Sequence, residues 1–599
     1  MTLEKTATNY GEVGTVSSIS FTYGTQSIGD GSIDNRMVIR DDRSQKGLFY
    51  IDDYTCNFST HSLVTKGYVD SNSGGVSANL GRTLYVSGGG SNSTAEVGNI
   101  TKPFATIIAA KDISVSGDTI YVMPQTITYS NTSALSYPYN GVVNTLVNLW
   151  KDDITYYFSP GTKIIFYNET PSGSDMYLFR PTGGTAATCK VFGDLEFEQN
   201  GIGIDSSNGV NHYFYGTPIG TDLGYTFYSE TKLLKSNHCQ VIDIRRTSST
   251  GTARVTIISQ EEEWNYGPGQ LATGSFYYIN NNATSALEFT SNVKTRRYNL
   301  YYPWYFNTNS NLSDKINFLG NDVYNTGNNL FLLRSSSNII NCHLDKIYYT
   351  TALTSLGYWG SIVSTFASGG WKLNLKADLI DLSANSLTTG MFYLTTSGNT
   401  LNFDGNITTN TISGAGRFIA ATTTTNTINI NGDINILGTS STTNVLFQSL
   451  GGSVINYKGK ISGNYIGPVV KTYTGTVNIN NSVITSTVDG STSQIFINGA
   501  TTLGTCKINN SYVELKNSTV GITDGSYVKA LINNSTIVNS GTSSVGMSNT
   551  TNFGTLQLSN SVVISGATAI NYTGTASVIE YCCSSGISLA SSSWAWWRQ

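Results

Sequence analysis

The chain has 599 residues with 61 glycines, 10 prolines, 12% charged residues and a net charge of −4 at pH 7. This length exceeds that of one compact core, so it predicts several domains or an elongated repeat, and the composition excludes a coiled coil, a collagen and a charged disordered chain. Because no run of Lys and Arg is concentrated enough to neutralise phosphates, a nucleic-acid-binding protein is disfavoured.

Residues 1–70 carry more charge than the rest of the chain and end on the phrase LVTKGYVD at 63–70. So short a segment has a marginal core, which predicts that a partner or further copies of the chain complete it. The block 37–70 resembles the virion-proximal segment of tail-fibre and tailspike proteins of tailed bacteriophages, although that family usually has a charged residue where Thr65 stands. The resemblance implies a virion-attachment segment at 1–70. Residues 71–81, rich in Gly, Ser and Asn, are predicted to be a flexible linker.

Residues 82–123 contain TLYVS at 83–87, KPFATIIAAK at 102–111 and GDTIYVM at 117–123. Phe104, Ile107, Ile108 and Lys111 have the spacing of one helix face, which predicts a short amphipathic helix. This segment resembles the opening of pectate-lyase-like right-handed β-helix proteins, in which such a helix covers the first turn. A cap of this kind protects the unpaired strand edge and the apolar end of a stacked repeat.

The phrase VFGDL at 191–195 has the pattern of the later repeat, so we extend the repeat back to it. Between about residues 200 and 330 the repeat becomes irregular, while aromatic and charged residues become more frequent. Long loops that leave a repeat often lie on its binding face, so we expect mid-chain loop excursions here.

From about residue 370 to 565 one short phrase returns every 22 to 29 residues, with a turn-forming residue near its centre. Gly and Asn tolerate a positive φ, so each phrase predicts a strand that bends and continues as another strand. If the turns stack at about 4.8 Å, four asparagines form a row whose amides bond along the stack and satisfy inward-pointing polar groups. The row comprises Asn481, Asn510, Asn534 and Asn560.

This period predicts an all-β chain wound as a parallel β-helix over residues 124–580. Counted from residue 82 to 580, with the opening included, about 26 residues per turn gives roughly 19 turns and a length on the order of 90 Å. The resemblance adds a right-handed winding and a homotrimer. Residues 581–599 form an aromatic end whose Trp594, Trp596 and Trp597 we expect to be buried between subunits or in a cap. The alternatives are a chance repeat in a Thr- and Asn-rich chain and a β-sandwich array, which requires hairpin signals at shorter spacing.

The sequence carries no metal, cofactor or membrane motif. Its seven cysteines are scattered except for the pair Cys582 and Cys583, and its four histidines lack zinc-ligand spacing. No apolar run is long enough to span a bilayer, and the N-terminus has no apolar signal core. We therefore expect no cofactor, no membrane insertion, and synthesis and folding in a host bacterial cytoplasm before assembly on the virion.

Catalytic chemistry would depend on carboxylates, and only seven of the 38 Asp and Glu residues follow residue 380. The candidates for a glycosidase pair are Asp243, Glu261, Glu262 and Glu263, with Arg245, Arg246, Arg296 and Arg297 as possible substrate clamps. Glu261 and Glu263 could share one strand surface, because alternate residues face the same way. The alternative, which we favour, is a solvated segment of Glu–Arg pairs. No Asp-rich cluster of the calcium-dependent lyase type is present.

Tyrosine, tryptophan and arginine side chains are suited to glycan recognition because they combine flat apolar surfaces with polar groups. Candidates are Trp264, Tyr298, Tyr301, Trp304, Arg296 and Arg297. Together with these residues, the resemblance of residues 37–70 implies a phage virion fibre or spike that attaches to a host-surface glycan or protein, with other virion proteins bound through residues 1–70. The alternatives are a tailspike depolymerase that cleaves host polysaccharide and a structural fibre on the capsid or tail.

Overall fold

The computed structural model describes most residues between 82 and 589, and all of these belong to the second of two units, Gly81–Gln599. The predicted attachment segment 1–70, the linker 71–81, Tyr301 and the tryptophans near the C-terminus lie outside the described residues. The described ranges are 82–130, 147–168, 176–183, 186–201, 211–237, 240–247, 249–265, 275–299, 303–306, 314–325, 330–333, 339–349, 363–365, 370–387, 391–412, 417–438, 445–463, 469–486, 497–499, 504–516, 520–522, 528–539, 545–549, 555–565, 568–572, 576–584 and 587–589.

The strands form a parallel solenoid with three faces, which confirms the predicted all-β architecture of parallel strands wound round an axis. Apart from those at the ends of the sheets, the strands pair in parallel with the strand one coil before and the strand one coil after, as β24 does with β22 and β27. Faces 1 and 2 together make a 26-stranded sheet, and face 3 comprises sheets of 12 and 4 strands. Face 1 holds roughly 18 rungs, which at about 4.8 Å each gives a length on the order of 80 Å.

The strands are numbered in chain order and grouped here by face. Those confined to face 1 are β1 (Thr83–Val86), β2 (Thr119–Val122), β4 (Ile154–Phe158), β7 (Ala187–Gly193), β24 (Thr427–Asn431), β27 (Val454–Lys458), β30 (Thr476–Asn480), β33 (Gly504–Asn509) and β36 (Val528–Asn533). Those confined to face 2 are β3 (Thr126–Ser130), β5 (Lys163–Asn168), β8 (Glu196–Gly201), β25 (Ile434–Ile436), β28 (Lys460–Gly463), β31 (Val483–Ser486), β34 (Tyr512–Leu515) and β37 (Thr536–Asn539).

Nine longer strands run through the bend from face 1 to face 2. They are β10 (Tyr225–Ser236), β12 (Ala253–Asn265), β14 (Leu287–Asn299), β16 (Lys315–Asn325), β18 (Ile339–Tyr349), β20 (Lys372–Leu387), β22 (Thr400–Ile412), β39 (Thr555–Ser565) and β41 (Ala576–Ser584). Four of them lie within 200–330, so the structural repeat of strands continues through the segment in which the sequence repeat is irregular.

Face 3 closes each coil with a short strand. Its 12-stranded sheet comprises β6 (Met176–Phe179), β9 (Asn211–Tyr215), β11 (Ile242–Arg246), β13 (Tyr277–Asn281), β15 (Trp304–Phe306), β17 (Phe331–Leu333), β19 (Val363–Thr365), β21 (Phe392–Leu394), β23 (Arg417–Ala421), β26 (Val445–Leu450), β29 (Val470–Tyr473) and β32 (Ile497–Gly499). Its 4-stranded sheet comprises β35 (Val520–Ile522), β38 (Val545–Asn549), β40 (Thr568–Tyr572) and β42 (Ile587–Leu589).

Glycine forms the bend between faces 1 and 2 where backbones of successive coils meet closely. Gly405 and Gly432 have φ values of 143° and 149°. A Cβ atom on Gly432 would lie 1.7 Å from the carbonyl oxygen of Gly405. Only glycine fits this approach, and Ile434 then returns to the core two residues later.

Asparagine takes over the bend in the later coils, where the four predicted residues all adopt left-handed conformations with φ between 45° and 50°. Asn560 donates through Nδ2 to Asn534 Oδ1 at 2.9 Å, and Asn534 donates to Asn510 at 2.7 Å. These side chains are exposed, so the prediction that the row points inward is corrected. The physical reason is that a left-handed residue at an outer corner directs its side chain away from the core.

The inward polar groups at this bend are instead the serines that follow each asparagine. Ser482 N–H donates to Ser511 Oγ at 3.1 Å, and Ser511 N–H donates to Ser535 Oγ at 3.1 Å. Each hydroxyl also donates to a backbone carbonyl two residues earlier, as Ser511 Oγ does to Asn509 at 2.7 Å. The buried corner is therefore satisfied by hydroxyls, as buried polar groups require.

Alternating residues fill one continuous core between the three faces. In β24 and β25, for example, Ile428, Ile430, Ile434 and Ile436 are each at most 3% exposed. Burial of each such side chain contributes roughly 1.5 to 3 kcal/mol. Repetition of one layer in every coil thus stabilises the whole rod.

A short helix, α1 (Ile107–Ile113), packs at the β1 end of the solenoid. Thr106 caps its N-terminus by accepting from the backbone N–H of Ala109 at 3.2 Å, and the helix buries Ile107 and Ala110 in the core. Phe104, which lies just before this cap, forms a parallel β-bridge with Val86 of β1 and is 4% exposed. The helix and this bridge together cover the apolar end and the strand edge of the first coil.

Candidate functional site

Glu261 and Glu263 point outward from face 2, with Glu262 buried between them. Glu261 forms an ion pair with Arg297, and Glu263 Oε2 lies 3.2 Å from Lys235 Nζ. The two carboxylates thus share a surface, and each is bound to a cation. Asp243 lies on face 3, so it does not join them in one acid–base pair.

Four predicted binding residues lie in the core rather than on the surface. Trp264, Trp304 and Arg296 have no exposed surface, and Tyr298 is 2% exposed. The prediction that these side chains bind a glycan is therefore corrected. Strand alternation explains it, because Trp264, Arg296 and Tyr298 occupy the inward positions of β12 and β14.

These core residues surround an ion pair between Glu262 and Arg296, both fully buried. Glu262 Oε2 lies 3.3 Å from Arg296 Nε and accepts from the Tyr298 hydroxyl at 2.6 Å, while Oε1 accepts from Tyr277. Burial raises the pKa of the Glu262 carboxyl, and the charge of Arg296 opposes this shift. The group is a core network that supports the fold, and solvent does not reach it.

Arg297 is the one predicted binding residue among those described that stays exposed, with 52% of its side chain accessible. Its guanidinium lies 5.8 Å from the ring centroid of Tyr324, which stacks on Tyr348 at 4.9 Å. Neither tyrosine was among the binding residues predicted from the sequence. Their register in β16 and β18 places them beside Arg297 and could be found only by aligning successive coils.

A cluster of polar and aromatic side chains, some exposed and some buried, lies on face 3, and we call it the face 3 cluster. It comprises Arg180, His212, Tyr215, Asp243, Arg245, Tyr278 and Tyr305. Of these, Asp243 was predicted as a catalytic candidate and Arg245 as a possible substrate clamp. The others come together because β9, β11, β13 and β15 stack in register, which places Tyr215, Asp243, Tyr278 and Tyr305 in one column.

Asp243 has no exposed surface and is covered by other residues of the face 3 cluster. Arg245 donates to both its carboxylate oxygens, with Nε 3.0 Å from Oδ1 and Nη2 2.9 Å from Oδ2. Arg245 itself remains 43% exposed and lies 4.7 Å from the ring centroid of Tyr278. Asp243 is therefore a covered partner that positions a guanidinium, which does not suit a catalytic carboxyl.

Two further side chains complete this surface. The guanidinium of Arg180 lies 5.0 Å from the ring centroids of both Tyr177 and Tyr215, and its Nε donates to Thr217 O at 2.8 Å. His212 is buried and stacks on Tyr215 at 4.8 Å. Burial, assisted by the charges of Arg245 and Arg180, lowers the pKa of His212 to about 3, so it is neutral at physiological pH.

The face 3 cluster can bind polar or acidic groups of a ligand. Tyr278 and Tyr305 stack at 4.9 Å and 11°, so one face of each ring is covered by the other. Tyrosine hydroxyls both donate and accept hydrogen bonds, and guanidinium groups pair with carboxylates and phosphates. Hydroxylated or anionic saccharides match this combination.

Other kinds of site find little support in the described part of the chain. Within it, no three His, Cys, Asp or Glu residues are grouped to hold a metal ion. Cys189, Cys342 and Cys506 are unpaired and buried, and burial raises the pKa of each thiol, so they are unreactive. None of the helices described has the length and apolarity to cross a bilayer.

Comparison with known proteins adds one weak similarity. No family model matches the chain, and no curated protein matches it significantly. A PL6 family alginate lyase, AlyGC, aligns with 82% of this chain and 98% of its own length at 9% identity and a TM-score of 0.16. A similarity at this level supports no inference about activity.

Proposed function

We propose that the protein is a fibre or spike of a tailed-phage virion that attaches to a glycan on the host surface. In this proposal the solenoid winds right-handed and the chain forms a homotrimer. Residues 1–70 bind other virion proteins, and the protein is made in the host cytoplasm. The phage assignment rests on the resemblance of residues 37–70, and the recognition role rests on the face 3 cluster.

The single observation that carries recognition is the exposed guanidinium of Arg245, held above buried Asp243 and beside the Tyr278–Tyr305 stack. A charge fixed by a covered partner loses little conformational freedom when it binds a ligand. Three copies on one particle would add avidity to modest single-site affinity.

Competition with adsorption tests this function. Soluble protein is expected to occupy host cells and block phage adsorption, and Arg180→Gln in the face 3 cluster is expected to weaken the block. Arg254→Gln is the matched control, because Arg254 is exposed on face 1 and pairs with Glu288 at 2.9 Å. Failure of the wild-type protein to compete, together with its localisation on the virion, would favour a structural fibre instead.

A depolymerase is the second candidate, favoured by the shared surface of Glu261 and Glu263. The Cα atoms of residues two apart along a strand are about 6.6 Å apart. This backbone spacing is close to about 6.5 Å, the lower limit for the distance between the two carboxyl groups of inverting glycosidases. New reducing ends in host polysaccharide, lost in Glu261→Gln/Glu263→Gln, would establish this activity. The ion pairs with Arg297 and Lys235 lead us to rank it below recognition.

A further inference from the structure

The two faces that begin at the β1 end of the solenoid are protected to different extents. On face 1, the segment before α1 covers the outer edge of β1, where Phe104 N–H donates to Tyr85 O at 2.7 Å. On face 2, the first strand is β3, because the chain forms a loop and α1 after β1 instead of a face 2 strand. Among the residues that the structure describes, β3 pairs with β5 and none pairs with its outer edge.

The backbone groups on this outer edge follow from the ladder between β3 and β5. Lys163 N–H donates to Gln125 O at 2.8 Å, and Lys163 is in register with Thr126. In a parallel ladder of this register, Ile127 and Tyr129 bond to β5 through N–H and C=O, whereas the same groups of Thr126 and Thr128 point away from β5. Two donors and two acceptors therefore face outward along the edge.

A groove of about 240 Å³ lies along this edge, between β3 and α1. We call it the edge groove, and its lining includes Thr106, Ile108, Ala109, Asp112, Ile127 and Thr128. Ile108, Ala109 and Ile127 pack against the core but are only half-buried. Because Ile127 occupies an inward position of β3, the core is incompletely covered at this point.

The edge groove matches a polypeptide in extended conformation better than it matches a small molecule. Pockets for drug-sized ligands measure about 300–1,000 Å³, so this groove is small for such a ligand. Unpaired N–H and C=O groups along a strand edge are matched in spacing and direction by another strand. A peptide that adds a strand to a sheet edge gains affinity from these main-chain bonds and specificity from alternate side chains.

Asp112 places a negative charge at the edge groove. Its side chain is 63% exposed. Lys111 Nζ lies 4.0 Å from Asp112 Oδ1, and it donates a hydrogen bond to Asn148 O at 2.7 Å. The Asp112 carboxylate thus remains accessible to a basic side chain of a ligand.

We propose that the edge groove binds an extended segment of a partner protein, which adds a strand to the outer edge of β3. The backbone of the segment bonds to Thr126 and Thr128. An apolar side chain covers Ile108 and Ile127, and a basic side chain pairs with Asp112. The segment takes the position that a face 2 strand of the first coil would occupy. This proposal depends neither on the face 3 cluster nor on the phage assignment.

Fluorescence anisotropy of a labelled heptapeptide added to the full-length protein tests the proposal. The probe is Lys-Val-Thr-Val-Thr-Val-Lys, with a lysine at each end so that either strand direction brings one toward Asp112. We expect saturable binding, and Ile108→Lys should weaken it about tenfold by filling the groove. Ile113→Lys is the matched control, because it adds the same charge to α1 at a residue that is 48% exposed outside the groove. It should leave binding unchanged.

Two further variants separate the backbone contribution from the charge. Thr128→Pro removes one outward N–H and leaves the bonds of Ile127 and Tyr129 to β5, as proline on an edge strand permits. It should weaken peptide binding about fivefold, as loss of one hydrogen bond predicts. Asp112→Asn should weaken it about threefold, as an exposed ion pair predicts. Circular dichroism checks the folding of each variant.

N-methylated peptides complete the test without any change to the protein. Alternate N–H groups of a strand point to opposite edges, so N-methylation of either the valines or the threonines should abolish binding, and N-methylation of the other set should spare it. The proposal is overturned if the probe does not bind, if both N-methylated peptides bind equally, or if Ile108→Lys binds as Ile113→Lys does. It is also overturned if the wild-type protein self-associates and Ile108→Lys does not, because a second copy would then occupy the groove.

Discussion

The mid-chain coils and the C-terminal coils have the same strand arrangement but are stabilised by different interactions. Between β12 and β16 the core holds the Glu262–Arg296 ion pair, tyrosines and Trp304. Between β24 and β37 the core is mainly aliphatic, with Phe447 and Tyr457 as buried aromatic residues, and Gly432 and Asn534 form tight bends. The mid-chain segment thus depends on side-chain partners, whereas the C-terminal segment depends on backbone conformation.

This difference predicts which substitutions destabilise each segment. A buried charge requires its partner because the low-dielectric interior leaves it otherwise unsolvated. A bend in which backbones meet requires a residue without Cβ. Variants that remove one requirement at a time should therefore damage one segment while sparing the other.

The largest effect is expected from Glu262→Ala, which leaves Arg296 buried without its counter-charge. We expect a loss of about 3–5 kcal/mol in the free energy of unfolding, measured by chemical denaturation. The double variant Glu262→Leu/Arg296→Met should lose less, because both charges are removed together. Glu261→Ala breaks only an exposed pair and should lose about 0–1 kcal/mol. Equal losses in the Glu261 and Glu262 single variants would contradict this account.

Gly432→Ala tests the C-terminal segment. Its Cβ would lie 1.7 Å from a backbone oxygen, so the bend must shift, and we expect a loss of about 3 kcal/mol. Gly452→Ala is the matched control, since Gly452 has φ of 78° and a Cβ atom added there would meet no other atom within 4 Å. It should lose only about 1 kcal/mol, the cost of the positive φ. Similar losses at the two positions would show that close backbone approach is unimportant.

The stability of the mid-chain segment should depend on pH through His212 of the face 3 cluster. Its pKa in the folded protein is about 3, against about 6.5 when unfolded, so the unfolded state binds a proton first as the pH falls. Stability is therefore complete above about pH 6.5 and declines toward pH 3, by about 2 kcal/mol at pH 5. Denaturation midpoints should show this decline in the wild type.

Replacement of the histidine sharpens that test. His212→Asn should flatten the decline between pH 6.5 and 5, whereas His343→Asn, at an exposed position, should retain it. An unchanged profile in His212→Asn would assign the acid sensitivity to other groups. Asp243, whose Oδ2 lies 3.9 Å from His212 Nε2, also faces the imidazole, while the charges of Arg245 and Arg180 oppose its protonation.

Sequence reasoning predicted the bends better than the surface. Gly405 and Asn534 could be placed because a positive φ restricts residue type strongly, and the turn phrase repeats. Trp264 was misplaced because composition identifies an aromatic residue without saying which side of a strand it occupies. Arg245 could be named as a possible clamp from the sequence, but its place beside Tyr278, like the position of Tyr324 beside Arg297, follows only from the register between coils. A single sequence leaves that register undetermined where the repeat is irregular.

The smallest effect concerns the exposed asparagine row at the C-terminal bends, where conformation and side-chain bonding can be separated. Asn534→Ala should lower the free energy of unfolding by about 1–2 kcal/mol, because Asn534 has a left-handed φ of 49° and this conformation is unfavourable for alanine. Asn534→Gly keeps that conformation accessible and loses only the amide bonds to Asn510 and from Asn560, so it should be milder. Thermal unfolding of both variants measures the two contributions. If alanine proves as stable as glycine here, backbone conformation does not determine the choice of residue at these bends, and the contrast between the two segments fails at its C-terminal end.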